Sequence, residues 1–409
     1  MTQRISDRPA RELPGRIRAP ACPSRRPRRL VFSATIPLLF LTFLLTAFAP
    51  AARAQQTAAT IKVGEFASLT GSEASFGQMS HHGTELAVAQ LNARGGVLGK
   101  KIELLTEDDG SKQGEAKTCA QKLISRDGVV ALLGEVASGR SLEAAPICQR
   151  FKIPMISPAS TNPKVTETGN YIFRVCFIDS FQASVIARFA LDTLKVKNAA
   201  LLTDEASAYS VGLADFFKQS FTNGGGRVLL ERKYTSGDKD FKAQLTAIKE
   251  AGPGAIFVPG YYSEAGLICR QARELGVTAP IFGGDGWEST KLVEIGREAV
   301  EGTYFSTHFS PKQQTAPVQE FVKKFQDRYQ VPPDAMAALG YDSAMLLADA
   351  IQRAGGTDGP ALRDALAATK NFPGITGNIT IDKDRNASKP AVFLKVTGGK
   401  FEFLETINP

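Results

Sequence analysis

Apolar residues along the chain follow two alternating rhythms. Short apolar runs bounded by Gly, Pro or Asp read as buried strands, and longer stretches with apolar positions three and four apart read as amphipathic helices. Strands are expected over 61–67, 102–106, 129–133 and 153–156, with helices over 79–93, 113–126 and 139–150 between them. The pattern restarts near 175–180. Helices over 181–194, 210–222, 241–250 and 263–275 then alternate with strands over 199–203, 227–231, 255–258 and 280–282. Helices over 317–329, 334–353 and 360–369 follow, then a strand over 377–381 and a hairpin over 391–404. Gly95-Gly96 and Gly224-Gly225-Gly226 mark helix ends, and Asp334 after Pro332-Pro333 is an N-cap. Pro146 lacks an N–H and its ring meets the preceding turn, so it is expected to shorten or kink its helix.

Repeated strand–helix alternation predicts an α/β protein with parallel, doubly wound sheets. At 409 residues the chain exceeds one ordinary core, so two lobes are expected. The first 54 residues stand apart. Arg25, Arg26, Arg28 and Arg29 precede an apolar run over 30–49, and Pro50 and Ala52-Arg53-Ala54 follow it. Basic, apolar and small-x-small regions in that order are those of a cleaved signal peptide over 1–54. An uncleaved anchor is the alternative, since ~20 apolar residues span a bilayer. Cleavage would give a soluble, extracytoplasmic product.

The leader also accounts for the charge. Of 49 Lys+Arg and 41 Asp+Glu, residues 1–54 hold ten and two, which leaves 39 of each sign in the remainder. The net charge of +8 therefore indicates neither nucleic acid nor an anionic lipid surface as partner. Beyond the leader lie Cys119, Cys148, Cys176 and Cys269. Export permits disulfides, and a bridge between Cys119 and Cys148 is feasible if their helices lie side by side on one sheet face. Cys119 equally fits a buried apolar position in the stripe Ala116, Cys119, Ala120, Leu123, Ile124.

No complete catalytic constellation stands out. There is no G-x-S-x-G elbow, and the Gly95–Lys101 run has the wrong spacing for a phosphate loop. His81 and His82 are adjacent and His308 is distant, so neither a metal site nor a cofactor is expected. The stretch Gly134–Pro163, GEVASGRSLEAAPICQRFKIPMISPASTNP, is more informative. Its two strands end in small hydroxyl residues, Ser138 after the first and Ser157, Ser160 and Thr161 after the second. Ligands of open α/β sheets bind at the carboxyl ends of strands, where free N–H groups suit an anion such as a carboxylate. Such residues also serve as ordinary caps and turns.

This stretch resembles the leucine/isoleucine/valine-binding proteins of bacterial ABC transporters. So do FASLTGSEASFGQ, LNARGGVLGKKIELLTEDD, YIFRVCFIDSFQ and VPGYYSEAGLICRQARELG, in collinear order after about residue 60. The resemblance implies a type I periplasmic binding protein fold with two Rossmann-like lobes and a three-segment hinge. The N-terminal lobe would be 60–178 plus 308–381, and the C-terminal lobe 179–307 plus 382–409. It implies an amino acid as ligand, a membrane permease as partner, a monomeric state, periplasmic location and no enzymatic activity. By position, Ser138 matches the carboxylate-binding Ser. The Ala159 carbonyl would take the ammonium, and the Thr161 hydroxyl and N–H would contact both α-carbon groups. Asp285 matches the acidic residue that pairs with the ammonium, often Glu in relatives. Tyr209 and Tyr261 would cover the ligand, while Phe76, Val136 and Ala137 line its side-chain pocket. A sensory ectodomain, or a carrier of another small carboxylate, amide or aromatic acid, is the alternative. The disulfide of some relatives lacks its partners here, where Ser111 and Ala137 stand.

Overall fold

The computed structural model describes residues 60–408, so the expected leader and its cleavage site lie outside the described residues. The first sheet holds β1 (Ile61–Ala67), β2 (Ile102–Asp108), β3 (Leu132–Leu133), β4 (Met155–Ser157) and β5 (Ile172–Arg174). They are parallel, in the order β2-β1-β3-β4-β5. The second sheet holds β6 (Asn198–Asp204), β7 (Arg227–Tyr234), β8 (Ala255–Val258), β9 (Ile281–Gly283) and β10 (Tyr304–Thr307). Its parallel part runs β7-β6-β8-β9-β10, the same order. A small antiparallel sheet of β11 (Phe372–Gly374), β12 (Gly377–Ile381) and β13 (Ala387–Ser388) straddles the expected 381/382 boundary. The tail, β14 (Ala391–Thr397) and β15 (Lys400–Ile407), adds antiparallel to β10.

Burial on both faces explains the near-continuous apolar strands. On one face of the first sheet, Val63, Leu133 and Ile156 pack under α1 (Ala74–Ala93) and α11 (Ala335–Ala354); the helices between are numbered in chain order below. On the other, Phe66, Leu132 and Met155 pack under α2 (Glu115–Lys122) and α3 (Ser138–Phe151). Helices α1 and α11 cross closely because Gly83 and Gly340 carry no Cβ; one at Gly83 would stand 1.9 Å from Ala337 O. The second sheet packs Leu201, Phe257 and Phe282 under α5 (Asp179–Arg188) and α6 (Ala208–Asn223), with α4 (Lys164–Glu167) preceding them in the first lobe. Each such phenylalanine, fully buried, contributes roughly 1.5–3 kcal/mol. Its opposite face meets α7 (Lys242–Ala251) and α8 (Tyr262–Glu274). Then come α9 (Thr290–Gly296), α10 (Ala316–Tyr329) and, after α11, α12 (Gly359–Ala367).

Several local expectations change. The apolar run over 129–133 gives a strand of just Leu132–Leu133, and Ile172–Arg174 forms a strand that periodicity had not marked. Pro146 does not shorten α3: the helix runs through it to Phe151, its inner face held by Ala144, Ala145, Ile147 and Cys148. Asp334 does cap α11, its side chain accepting from Ala337 N. The Cys119–Cys148 bridge is not formed. All four cysteines of the described residues are free and buried, and Cys119 packs in the apolar core beneath α2 and α3.

Candidate ligand-binding site

The site grows out of the carboxyl ends of both sheets. In the first lobe, Ser138 opens α3 directly after β3, and its Oγ accepts from Asn162 N at 3.2 Å. Ser157 and Ser160, expected to offer hydroxyls to an anion, instead turn them inward. Both donate to Glu135 O, at 2.7 and 2.9 Å, and Ser160 also reaches Val136 O at 3.1 Å. They fix the loop rather than face a ligand. Ala159 and Thr161 are buried, the Thr161 hydroxyl beside the Asp179 carboxyl. Behind the loop lies Arg174, fully buried at the end of β5. Its guanidinium donates to Ser160 O, to Asn162 O at 2.9 Å and to Thr166 Oγ1 at 3.1 Å. A trans peptide points its C=O and N–H in opposite directions. Anchoring Ser160 O on Arg174 therefore aims the Thr161 N–H away from it, toward the strand ends.

The second lobe supplies acceptors. Asp285, 3% exposed, follows β9. Its Oδ1 accepts from Tyr209 OH and from Gln182 Nε2, each at 2.8 Å. Its Oδ2 lies 3.1 Å from His308 Nε2. Burial holds the His308 imidazole below its ordinary pKa, so the ring is neutral and Nε2–H donates to the carboxylate. Sheet register explains this meeting: β10 pairs with β9, Phe305 opposite Gly283, so the chains leaving both strands arrive together. Sequence distance had set His308 aside; its place just after a strand neighbouring that of Asp285 was the usable signal. Gln182, on α5, was missed for want of any charge. Tyr261 stacks on Tyr209 with ring centroids 5.2 Å apart, and Phe76 from the first lobe meets Tyr261 edge-on at 5.6 Å.

Between the lobes stands Asp179, at the start of α5. Its N–H donates to Thr161 O at 2.9 Å. Burial pushes its pKa up to about 8, against the pull of the neighbouring Thr161 hydroxyl. The lobes touch directly through Tyr262 OH, which donates to Ser72 O at 2.8 Å, and through Asn162 Nδ2, which donates to Ala208 O at 2.7 Å. A cavity of about 780 Å³ opens between them, bordered by Glu73, Arg140, Asp204 and Glu264 together with Ala137 and Tyr261. Burial lifts Glu73 to about 7 despite Arg140 beside it.

Of the nine residues singled out from the sequence, Ala137 and Tyr261 border this cavity, whereas Ser138, Ala159, Thr161, Tyr209, Asp285, Phe76 and Val136 are buried behind it, and Val136 contributes its carbonyl to the loop's own bonding. Hydroxyl and N–H donors stand on one wall and a carboxylate on the other.

The sequence pattern of the periplasmic binding protein family matches residues 60–400. The Leu/Ile/Val-binding protein BraC3 of Rhizobium johnstonii is 33% identical over 340 residues, 82% of this chain and 89% of that one. Among solved structures, a leucine-binding protein of Thermotoga maritima shares 42% identity with a TM-score of 0.83, covering 86% of this chain and 99% of its own. A Streptococcus pneumoniae branched-chain amino acid substrate-binding protein, in complex with isoleucine, shares 36% identity with a TM-score of 0.82, covering 86% and 100%.

Proposed function

The chain belongs to the periplasmic binding protein family, and from that premise we propose that it captures a free amino acid of the branched-chain type between its lobes. It is a solute-binding protein of the kind that serves ABC transporters, not an enzyme. The observation that carries the amino-acid reading is Asp285, buried and held by three donors opposite a donor-lined loop. An ammonium taken out of water without a partner costs several kcal/mol, on the order of what a buried unpaired charge costs generally. Asp285 offsets that cost, while Ser138 Oγ and the Thr161 N–H offer donors to the carboxylate. Ala159 O accepts from the ammonium, Tyr209 and Tyr261 cover the ligand, and Phe76, Val136 and Ala137 surround its side chain.

A ligand bridging both walls binds the closed form better than the open one, and that difference is what a membrane permease reads. The mature chain works in the periplasm as a monomer. A thermal-shift panel of leucine, isoleucine and valine against benzoate and acetamide tests the reading. The matching amino acid at about 100 times its Kd raises stability by about 2.7 kcal/mol. A shift with a ligand lacking any ammonium, and none with amino acids, would overturn it.

A further inference from the structure

Strand β5 stands at the edge of the first sheet, and a recess of about 490 Å³ lies beside it. Three parts of the chain form it: Asn170 just before β5, helix α12 with Lys370 after it, and the turn over 382–385 between β12 and β13. That turn lies against the strand, Arg385 O accepting from Arg174 N at 3.3 Å. Four cationic side chains, Arg363, Lys370, Lys383 and Arg385, line the recess against two carboxylates, Asp364 and Asp382. This local excess stands out in a chain whose charges balance beyond residue 54. Both carboxylates are already engaged. Asp364 Oδ1 accepts from Arg363 Nε at 2.7 Å, and Asp382 Oδ1 from the N–H groups of Asp384 and Asn386 at 2.8 and 2.9 Å.

The other three cations are underused. Lys370 Nζ donates to Ile381 O at 3.3 Å. Lys383 meets Asp384 at 3.5 Å with both side chains exposed, a pairing worth little in water. Arg385 donates to Thr166 O at 2.9 Å, and its Nε has no hydrogen-bond partner. Among the described residues neither Lys370 nor Arg385 forms an ion pair. Exposed lysines by themselves make a solvated surface. Here they converge with a guanidinium around a concave space, and a planar guanidinium fork matches the paired oxygens of a phosphate. We propose that this recess is a second binding site, which takes a multivalent oxyanion of the phosphate class. Lys370 and Lys383 supply point charges, Arg385 supplies the fork, and Arg363 stays paired with Asp364. A dianion offsets the excess of two positive charges in the lining. The site does not depend on the amino-acid reading, because the recess and the interlobe cavity share no lining residue.

Calorimetric titration of the purified protein with inorganic phosphate, at ionic strength held constant with sodium chloride, tests the site. Constant ionic strength removes the general screening of surface charge, so what remains is specific binding. Wild type should show saturable binding of one phosphate. Lys370→Gln and Lys383→Gln should each weaken it by about two- to fivefold, as loss of an exposed charge does. Both side chains are exposed, so these variants do not put the fold at risk. Arg385→Gln should weaken binding about tenfold or more, because it removes charge-assisted hydrogen bonds. Lys117→Gln, exposed on α2 and outside the recess, should leave phosphate affinity unchanged. Vesicles containing phosphatidic acid form a second arm with the same chemistry on a lipid. Binding of free phosphate assigns a soluble anion. Co-sedimentation with the vesicles that the recess variants reduce, without binding of free phosphate, assigns a lipid headgroup. Binding of neither probe overturns the proposal. So does phosphate affinity that stays within experimental error in all three recess variants, or that falls equally in Lys117→Gln.

Discussion

The two lobes share one parallel strand order and put opposite chemistry at its carboxyl edge. The first lobe's loop is neutral and donor-rich, with Ser138, Thr161 and backbone N–H groups backed by the buried guanidinium of Arg174. The second lobe's wall carries Asp285, held in place by Tyr209, Gln182 and His308. Strand order reverses between β1 and β3 in the first sheet and between β6 and β8 in the second; Ser138 and Tyr209 follow strands at those points, while Thr161, Asp285 and His308 follow the next strands along the same carboxyl edges. Topology fixes where a ligand can sit in either lobe. Side chains at equivalent places set the chemistry each lobe presents there. On the proposed amino-acid reading, a zwitterion would satisfy both lobes at once and so favour closure.

Removing the acceptor side should have the largest effect. Asp285→Ala leaves the ligand's ammonium poorly paired in a closed cleft and should cost about 2–5 kcal/mol of amino-acid affinity. Titration calorimetry reads this directly, and affinity within twofold of wild type would break the comparison. On the donor side, Arg174→Met leaves the carbonyls of Ser160 and Asn162 without partners and should lower unliganded stability by about 2–3 kcal/mol. It should also weaken discrimination between leucine and leucinamide, because the Thr161 N–H is no longer held toward the carboxylate. A variant that melts lower yet keeps that discrimination would confine Arg174 to folding. The smallest effect concerns cysteine. Burial pushes Cys119 in the first lobe and Cys269 in the second up to about 12, so neither thiol should react with a maleimide in the native, non-reduced protein at pH 7. Denatured without reductant, residues 60–408 should yield four reactive thiols. Two would mean that Cys119 and Cys148 are bridged after all.

Much of this molecule was legible before any coordinates. The strand Ile61–Ala67, the strand Ala255–Val258 and the Asp334 cap follow from local pattern alone, because each depends on residues a few positions apart. Pro146 and the 129–133 run misled for the complementary reason. A helix packed along its length tolerates a missing N–H, and an apolar run becomes a strand only as far as its neighbours pair with it.

The sequence by itself determined the alternation of strands and helices, hence parallel doubly wound sheets, and through its resemblance nominated nine candidate site residues. Those are statements about short-range pattern and chemical type, which a linear chain displays openly. Only the tertiary structure decided which of those groups are free to act. Ser157 and Ser160 look like ligand hydroxyls until Glu135 O is seen to claim them. His308 looks isolated until β9 and β10 pair and set it against Asp285. Asp179 looks like an ordinary first-turn acid until burial is seen to push its pKa up to about 8. Hydrogen bonding and desolvation depend on what lies within a few ångströms, and that distance is set by folding, not by position along the chain.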